Sequence, residues 1–425
     1  MYAYDVVVVG GGNAALCAAL SAHEAGARVV ILEAASKELR GGNSRFASAV
    51  FRIVHNGMSD IEPLLPVENK RLTKRARLGP FTKERYEKDF IETSKGHYDK
   101  QAMEVMFNHS LDTVTWMRDQ GVRWTLVLSK FFTEERITKE VIDVNPGVCL
   151  MAENEGEGLT DNLWRAVERT SIAVFYNTPG YDLLAEGDTI KGVRARRRDQ
   201  FVDFHGKVIL ACGGFESSPR LRRQYLGEGW DLVVVRGTRY NTGHMTEKAI
   251  AAGAQATGHW GGCHAVPMDL HSPATGNLEL TDKMSRYSYP FAIMVNKDGK
   301  RFMDEGLDTF ELTYAMTGTL ISKQRDATAF QIFDQKSLIT LEPRYSTGKP
   351  VTDNTLEGLA AKLGVNVREF LKTVHEFNAA VPKSGTFDPF HKDGLSTGDN
   401  LEIPKTNWAQ TIDQPPYVAY AVTCG

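Results

Sequence analysis

The stretch that decides the fold is DVVVVGGGNAA, residues 5–15. It contains a continuous β-branched run, residues 6–9, which is typical of a strand buried on both faces. An alanine-rich segment with apolar residues at helical spacing follows and is closed by Gly26. A second strand-like run, residues 28–32, ends on Glu33. Strand, glycine turn, helix and strand in this order predict a βαβ unit of a parallel sheet.

The glycine turn of this unit has the chemistry of a dinucleotide site. Gly10 allows a tight turn, Gly12 lets a pyrophosphate approach the backbone, and Ala15 permits close packing of helix on strand. The helix that begins here offers unpaired N–H groups and the positive end of its dipole to a phosphate. Glu33 can accept hydrogen bonds from both hydroxyls of an adenosine ribose. A G-x-G-x-x-A turn in this setting predicts a bound dinucleotide rather than an empty turn.

Two further glycine doublets favour FAD over NAD. The sequence GGNS at residues 41–44 can donate backbone and amide hydrogen bonds to the second part of a long cofactor. Runs at residues 173–176 and 192–195 predict a β-meander, and the buried strand after it, residues 208–212, runs into Gly213 and Gly214. A plain NAD-binding reductase is the disfavoured alternative, because the glycine loops at residues 41–44 and 213–214 would then have no part of the cofactor to contact.

The composition excludes several classes of function. Lys and Arg number 50 against 53 Asp and Glu, so no basic field points to nucleic acid. No apolar run is long enough to cross a bilayer, and the first residues lack the basic region of a signal peptide. The five cysteines form no CxxC pair and the histidines no HExxH, so we expect no metal site. Reduced thiols suit a cytoplasmic location.

The rest of the chain predicts two structural units. Apolar residues at helical spacing predict helices at residues 100–121, 158–170, 246–252 and 366–379. Residues 56–80 are rich in Pro and Arg and predict an irregular excursion. The composition changes near His259, where a segment rich in loops, His, Tyr and Pro begins. We place the domain boundary there.

These motifs, taken together, resemble the flavoprotein subunits related to fumarate reductase and succinate dehydrogenase. The likeness lies in the order VVVVGGGNAA…LE, GGNSR, ILACGGFE and VNKDGKRFMDEG; within that family, RGTRYNTG and PKTNWA resemble the FAD-dependent tricarballylate dehydrogenases. The resemblance implies an α/β fold: a Rossmann-like, glutathione-reductase-type FAD-binding domain over residues 1–258 with an inserted α+β cap over residues 259–420. Residues 421–425 would start the return to the FAD domain, the remainder being absent from the sequence.

The resemblance also implies roles for individual residues. FAD contacts are expected at Gly10, Gly12, Asn13, Ala14, Glu33, Gly42, Asn43, Ser44, Ala211, Gly213 and Gly214. Asn43 stands where the membrane-bound relatives carry a histidine bonded to the flavin, which implies noncovalent FAD. Arg301, in the N-x-D-G-x-R motif, would exchange a proton with the substrate, and Asp304 or Glu305 could be the next station. His264 would hold a substrate carboxylate.

The implied activity is dehydrogenation of a small tricarboxylic acid, tricarballylate to cis-aconitate, by hydride transfer to flavin N5 and proton relay through Arg301. The reduced flavin would then be reoxidised by a partner redox protein. Another enoate reductase or a 3-ketosteroid dehydrogenase is an alternative in the same class. A steroid site should be wide and apolar, whereas a tricarboxylate site needs several cations, for which Arg286, His264 and Arg301 are the candidates.

Three departures from the family pattern leave a second class of function open, one without catalytic turnover. His244 follows Thr242-Gly243 where relatives carry an acidic residue that contacts the flavin. The Thr-Glu pair that fumarate reductases carry in the cap has no counterpart in this cap before Tyr289, which argues against fumarate as substrate. Relatives continue beyond residue 425 with a further FAD-binding strand and helix. A truncated, catalytically idle flavin-binding protein is therefore the alternative outside the enzyme class.

Overall fold

The strand predicted at the start of the chain lies near the centre of a six-stranded sheet. The computed structural model describes residues 2–132, 134–280 and 282–425. In chain order the strands are β1 (Tyr2–Val9), β2 (Val29–Leu32), β3 (Val50–Phe51), β4 (Ala76–Arg77), β5 (Trp124–Leu126), β6 (Ile142–Asp143), β7 (Leu150–Ala152), β8 (Ala173–Phe175), β9 (Gly180–Glu186), β10 (Thr189–Arg197), β11 (Gln200–Leu210), β12 (Pro267–Asp269), β13 (Ile293–Asn296), β14 (Ala329–Phe333), β15 (Val351–Asp353) and β16 (Tyr417–Cys424). The helices are α1 (Asn13–Glu24), α2 (Met58–Ile61), α3 (Lys83–Ser94), α4 (Lys100–Asp119), α5 (Leu128–Phe131), α6 (Glu134–Lys139), α7 (Glu155–Glu168), α8 (Pro219–Leu226), α9 (His244–Ala251), α10 (Phe310–Ser322), α11 (Leu356–Leu363) and α12 (Val367–Ala380).

The first sheet has the strand order β8-β2-β1-β11-β10-β9. The first four of these strands are parallel, and β10 and β9 continue antiparallel. Val8 of β1 packs into one hydrophobic core together with α1 and α7, whereas Val7 and Val9 pack into another core on the opposite face. The β-branched run is therefore buried on both faces, as its composition predicts.

The β-meander differs from the prediction in one strand. β8 does not belong to it, because β8 lies at the other edge of the sheet and pairs with β2 in parallel. The meander consists of β9, β10 and β11, and β11 is long enough both to pair with β10 and to pair with β1 through residues 204–205 and 207–210. One strand thus completes the meander and returns the chain to the glycine turn.

The helices predicted from apolar spacing are present, with ends that shift by a few residues. They correspond to α4, α7, α9 and α12, and Asn366 caps α12 by accepting a hydrogen bond from the backbone N–H of Glu369 at 3.1 Å. Residues 56–80 contain only short helical turns and β4, as expected for an irregular excursion. None of the described helices has the length and apolar character needed to cross a membrane.

The second unit is an antiparallel sheet in the order β12-β16-β14-β13, with β15 also paired to β16 and helices α10 to α12 packed against it. The boundary predicted near His259 falls in the segment between α9 and β12. Residues 421–424 do not leave this unit, contrary to the prediction for residues 421–425. They are the end of β16, and residues 422–424 pair with residues 267–269, because the strand fills the gap between β12 and β14.

Candidate active site

A cleft of about 240 Å³ opens at the carboxyl ends of β1, β2 and β11. This edge of a parallel sheet is where dinucleotides bind in folds of this type. Ten of the eleven residues expected to contact FAD line the cleft: Gly10, Gly12, Asn13, Ala14, Glu33, Gly42, Asn43, Ser44, Ala211 and Gly213. The eleventh, Gly214, lines a neighbouring cleft. The tertiary structure therefore brings together residues from three separate glycine turns.

The three glycines of the first turn are required for different reasons. Gly10 has a φ of +119°, and a Cβ there would lie 2.3 Å from the carbonyl oxygen of Ala211; a Cβ on Gly11 would lie 2.2 Å from the Glu33 carboxylate. Gly12 has an ordinary φ of −86°, and its nearest neighbour in the protein, Ser44 Oγ, would be 3.3 Å from a Cβ. Gly10 and Gly11 thus serve the fold, whereas the absence of a side chain at Gly12 leaves room in the cleft.

The first turn of α1 presents backbone donors to the cleft. Gly12 is the N-cap residue and provides no side-chain cap, so the first N–H groups of the helix have no partner within it. Asn13 donates its N–H to Ser44 Oγ at 3.0 Å, which ties the second glycine loop to the helix. The remaining donors of the turn, with the positive end of the helix dipole, fit a pyrophosphate.

Glu33 is buried at the end of β2, with 5% of its surface exposed. Its Oε1 accepts a hydrogen bond from the backbone N–H of Ala35 at 2.8 Å, and burial raises the pKa of its carboxyl to about 7. A buried carboxylate with so few donors around it is costly unless it gains more hydrogen bonds. The two hydroxyls of an adenosine ribose are donors of the kind it lacks, so the residues of this cleft fit FAD.

His244 lines the same cleft at the N-terminus of α9, in the place where an acidic flavin contact is expected in relatives. Its Nε2 lies 2.7 Å from the carbonyl oxygen of Tyr181. Because a carbonyl only accepts, Nε2 carries the proton and donates. His244 therefore secures the cleft wall to β9 and supplies no negative charge.

A second cleft, of about 480 Å³, adjoins the first, and Asn43 lines both. The walls of the second cleft come from the first unit, through Phe46 and residues 233–237, and from the start of the second unit, through residues 262–265. Most of these side chains are apolar. Arg236 and His264 form a polar side of the cleft, and Arg222 and Glu216 also line it.

Arg236 was not among the residues singled out from the sequence, although it opens the RGTRYNTG motif. Its Nη1 donates to the carboxylate of Asp282 at 2.7 Å and contacts the hydroxyls of Ser285 and Tyr287 at 3.3 Å each. Its Nη2 lies 3.4 Å from Nδ1 of His264. The sequence offers one indication that Arg236 belongs to the site: it is a charged residue next to a glycine within a motif of the family.

His264 lines the second cleft, next to the cleft of the glycine turns, and its role as a carboxylate ligand stays a prediction. Desolvation within the cleft, followed by the positive charge of Arg236, lowers the pKa of the His264 imidazole to about 4, so the imidazole is neutral at physiological pH. Since the guanidinium of Arg236 only donates, Nδ1 of His264 is the acceptor and Nε2 carries the proton. A neutral N–H donor next to an arginine suits a carboxylate ligand.

The structure does not bring Arg301 into either cleft. The guanidinium forms a bidentate ion pair with Glu305, with Nη2 2.6 Å from Oε2 and Nε 3.1 Å from Oε1, and Nη1 donates to the carbonyl of Ile403 at 2.7 Å. Arg286 is also absent from the clefts, because it is fully buried and pairs with Asp269 at 3.0 Å. Of the three residues expected to bind the substrate, only His264 therefore lines a cleft. Arg236 is a cation of the cleft that the sequence did not predict.

Within the described residues, no group of three or more His, Cys, Asp and Glu side chains is placed to hold a metal ion.

Comparison with known proteins places the chain in a family. The model of a family described as "FAD binding domain" matches residues 5–420. NADH:acrylate oxidoreductase from Vibrio harveyi is 23% identical over 97% of this chain and 44% of its own length. 3-Oxosteroid 1-dehydrogenase from Mycobacterium tuberculosis is 28% identical over 62% of this chain and 50% of its own length. Fumarate reductase (cytochrome) from Shewanella frigidimarina is 25% identical over 99% of this chain and 66% of its own length.

The chain thus spans about half to two thirds of the length of these relatives. Two solved structures cover all of it at 20% identity with a TM-score of 0.68: an open flavocytochrome c3 fumarate reductase, 67% covered, and 3-ketosteroid Δ1-dehydrogenase from Sterolibacterium denitrificans, 88% covered. They confirm the predicted α/β FAD-binding fold. The chain belongs to the FAD binding domain family, within the fumarate reductase and succinate dehydrogenase flavoprotein superfamily, and its cofactor is FAD.

Proposed function

We propose that this chain carries the catalytic centre of an FAD-dependent oxidoreductase acting on a carbon–carbon bond of a small carboxylic acid. The observation that carries the proposal is the junction of the two clefts at Asn43. On one side lie the glycine turns and Glu33, and on the other lie Arg236 and a neutral His264. A cofactor site that opens directly onto cationic and donor groups is the arrangement needed to oxidise or reduce a bound carboxylic acid.

The FAD contacts are part of this proposal. Gly12 and the first turn of α1 would hold the pyrophosphate, and Glu33 the adenosine ribose. Residues 42–44, Ala211, Gly213 and Gly214 would contact the remainder. Binding would be noncovalent, because the amide of Asn43 is not a nucleophile. When bound, FAD supplies a hydride acceptor at its N5 atom.

For the substrate we propose a tricarboxylic acid, with tricarballylate oxidised to cis-aconitate and the electrons passed to a redox partner protein. His264 would bind and orient a carboxylate. The proton relay through Arg301 needs a carrier between that residue and the cleft, because Arg301 lines neither cleft. Glu305, bonded to Arg301 at 2.6 Å, is its proton partner in this scheme.

The test begins with the flavin content of the purified chain. FAD released on denaturation in a ratio near one to one is the expected result, followed by anaerobic bleaching of the flavin on addition of tricarballylate. Bound FAD that no carboxylic acid bleaches and that oxidises no reductant would contradict the proposed activity. A colourless protein that FAD does not reconstitute would instead support the catalytically idle alternative.

A 3-ketosteroid or a related enone is the second candidate substrate, and the apolar wall of the second cleft favours it. Phe46, Phe215 and Trp230 line a cleft of about 480 Å³, large enough for a fused ring system. The same anaerobic assay with a 3-ketosteroid separates the two candidates. Bleaching by the steroid but not by tricarballylate would assign the cleft to an apolar substrate.

A further inference from the structure

Arg236 is held on one side and open on the other. The Nη1 atom of its guanidinium is engaged by Asp282, Ser285 and Tyr287. Nη2 has only His264 Nδ1 as a hydrogen-bond partner among the described residues, at the long distance of 3.4 Å. The side chain is mostly buried yet lines the second cleft. Three contacts on one nitrogen fix the guanidinium and direct its other nitrogen along the cleft wall.

The charges around this guanidinium form one network in which a single carboxylate is shared. The Asp282 carboxylate is 1% exposed and lies close to three cations: Arg236 at 2.7 Å, Arg344 at 3.0 Å and Lys130 at 3.5 Å. Lys130 also pairs with Glu155, and Arg344 with Glu342. Arg236 has no carboxylate partner other than Asp282 among the described residues. Three carboxylates thus face three cations, but Asp282 is shared by all three, so the guanidinium of Arg236 keeps donor capacity for an anion in the cleft.

Another arginine in the same cleft shows what a purely structural arrangement looks like. Arg222 donates from Nε to the carbonyl of Trp230 at 2.7 Å and from Nη2 to that of Asp231 at 2.9 Å, and Nη1 bonds to the carbonyl of Glu216. All three nitrogens point into the backbone and none is left for a ligand. Arg236 differs because its Nη2 faces another ligand-binding group, His264.

We propose that Arg236 and His264 form a carboxylate-binding subsite of the second cleft and that Asp282 is the positioning residue of Arg236. The inference rests on the proposed function, which it deepens by naming Arg236 as a binding residue and Asp282 as the residue that positions it. The guanidinium and the Nε2–H of His264 donate to one carboxylate of the substrate, and Asp282, Ser285 and Tyr287 hold the guanidinium still. A small polycarboxylate is bound through charge at this end of an otherwise apolar cleft.

The experiment measures ligand binding to the FAD-loaded full chain by calorimetry, with tricarballylate and its neutral triamide as probes. Arg236→Gln should weaken tricarballylate binding by about ten- to hundredfold, the range for a hydrogen bond to a charged group. It should leave triamide binding and FAD content unchanged. Arg236→Lys should fall between, because an ammonium is a point charge without the planar fork. Arg239→Gln, an exposed arginine of the same RGTRYNTG motif, is the matched control and should bind as the unaltered chain does.

Asp282→Asn tests the positioning role. It should raise the KM for tricarballylate, or its dissociation constant, with little change in kcat or in triamide binding, since a general structural defect would affect all of these. Equal tricarballylate affinity in Arg236→Gln and the unaltered chain would overturn the proposal, as would an unaltered chain that binds no carboxylate. Tight, Arg236-dependent binding without flavin bleaching would support the subsite and reject the proposed tricarballylate oxidation.

Discussion

The Oδ1 atom of Asn43 accepts a hydrogen bond from the backbone N–H of Thr238 at 2.8 Å. This bond ties the loop that lines the FAD cleft to the segment that carries Arg236. The approach is so close that a Cβ on Gly237 would lie 2.0 Å from the same oxygen. The two clefts are therefore joined by one side chain, and a change at Asn43 should be felt in both.

Asn43→Ala should lower FAD affinity together with stability. It leaves the Thr238 N–H without its partner, so we expect a loss of about 1 kcal/mol in the free energy of unfolding and a reduced FAD content. Chemical denaturation and flavin release measure the two effects. Asn108→Ala, on the exposed face of α4, is the control. An Asn43→Ala protein with full FAD content and unchanged stability would show that the tie is unimportant.

Substitution of Gly12 should affect mainly cofactor binding, whereas substitution of Gly10 should affect the stability of the fold. Gly12→Ala places its methyl group 3.3 Å from Ser44 Oγ, a tight contact that a small shift of this side chain relieves, so the free energy of unfolding without FAD should change by no more than about 1 kcal/mol. The same methyl group intrudes on the pyrophosphate, so FAD affinity should fall. Gly10→Ala should destabilise the fold itself, since its methyl group meets a backbone carbonyl at positive φ. Equal effects of the two substitutions on stability would contradict this division of roles.

Glu33 should make the stability of the FAD-free protein depend on pH. Burial raises the pKa of its carboxyl from 4.5 to about 7, so the folded state binds this proton more tightly than the unfolded state. The resulting stabilisation is fully present below the unfolded pKa and is lost as the pH rises through about 7. Relative to Glu33→Gln, the FAD-free protein should lose up to about 3 kcal/mol between pH 4 and pH 8.

Denaturation of both FAD-free proteins across this pH range measures the difference. Glu38→Gln, an exposed acid a few residues later, should show no comparable change. With FAD bound, Glu33→Gln should instead be the less stable of the two proteins. It loses a charged acceptor for the ribose hydroxyls and should bind FAD at least about tenfold more weakly. A difference in stability that does not vary with pH would show that Glu33 titrates normally.

The Arg301–Glu305 pair should matter for stability whether or not it relays a proton. Both side chains are buried, and Arg301→Gln leaves the Glu305 carboxylate without its main partner, so we expect a loss of about 3 to 5 kcal/mol. Thermal or chemical denaturation tests this, with exposed Lys300→Gln as the control. Arg301→Lys keeps a charge and isolates the relay, since a lowered kcat with nearly normal stability would favour proton transfer. A stable Arg301→Gln protein would contradict the structural role.

Much of the cofactor site is predictable because its residues follow patterns that are local in the sequence. A β-branched run, a glycine turn, a helix and a terminal acid specify a βαβ unit over residues 5–33, and each feature has a consequence at short range. The same holds for the helices, whose apolar spacing places α4, α7, α9 and α12 within a few residues. The strand β8 was assigned to the meander because a short apolar run carries no information about its neighbours in a sheet.

The substrate side was less predictable, because its residues come from distant parts of the chain. Asp282 contacts Ser48, Lys130, Arg236 and Arg344, and no spacing rule connects these positions. Arg286 and Arg301 carry the same charge as Arg236 and sit in equally suggestive motifs. Only their partners distinguish them: Asp269 and Glu305 neutralise the first two in the interior, away from either cleft.

The sequence by itself determined the FAD-binding unit and the family, because the groups that recognise a dinucleotide are backbone turns whose geometry follows from nearby residue types. The tertiary structure decided which cations face the second cleft and that residues 421–424 complete the second sheet. Burial, ion pairing and strand partners are set by contacts between segments far apart in the chain, so local composition does not determine them.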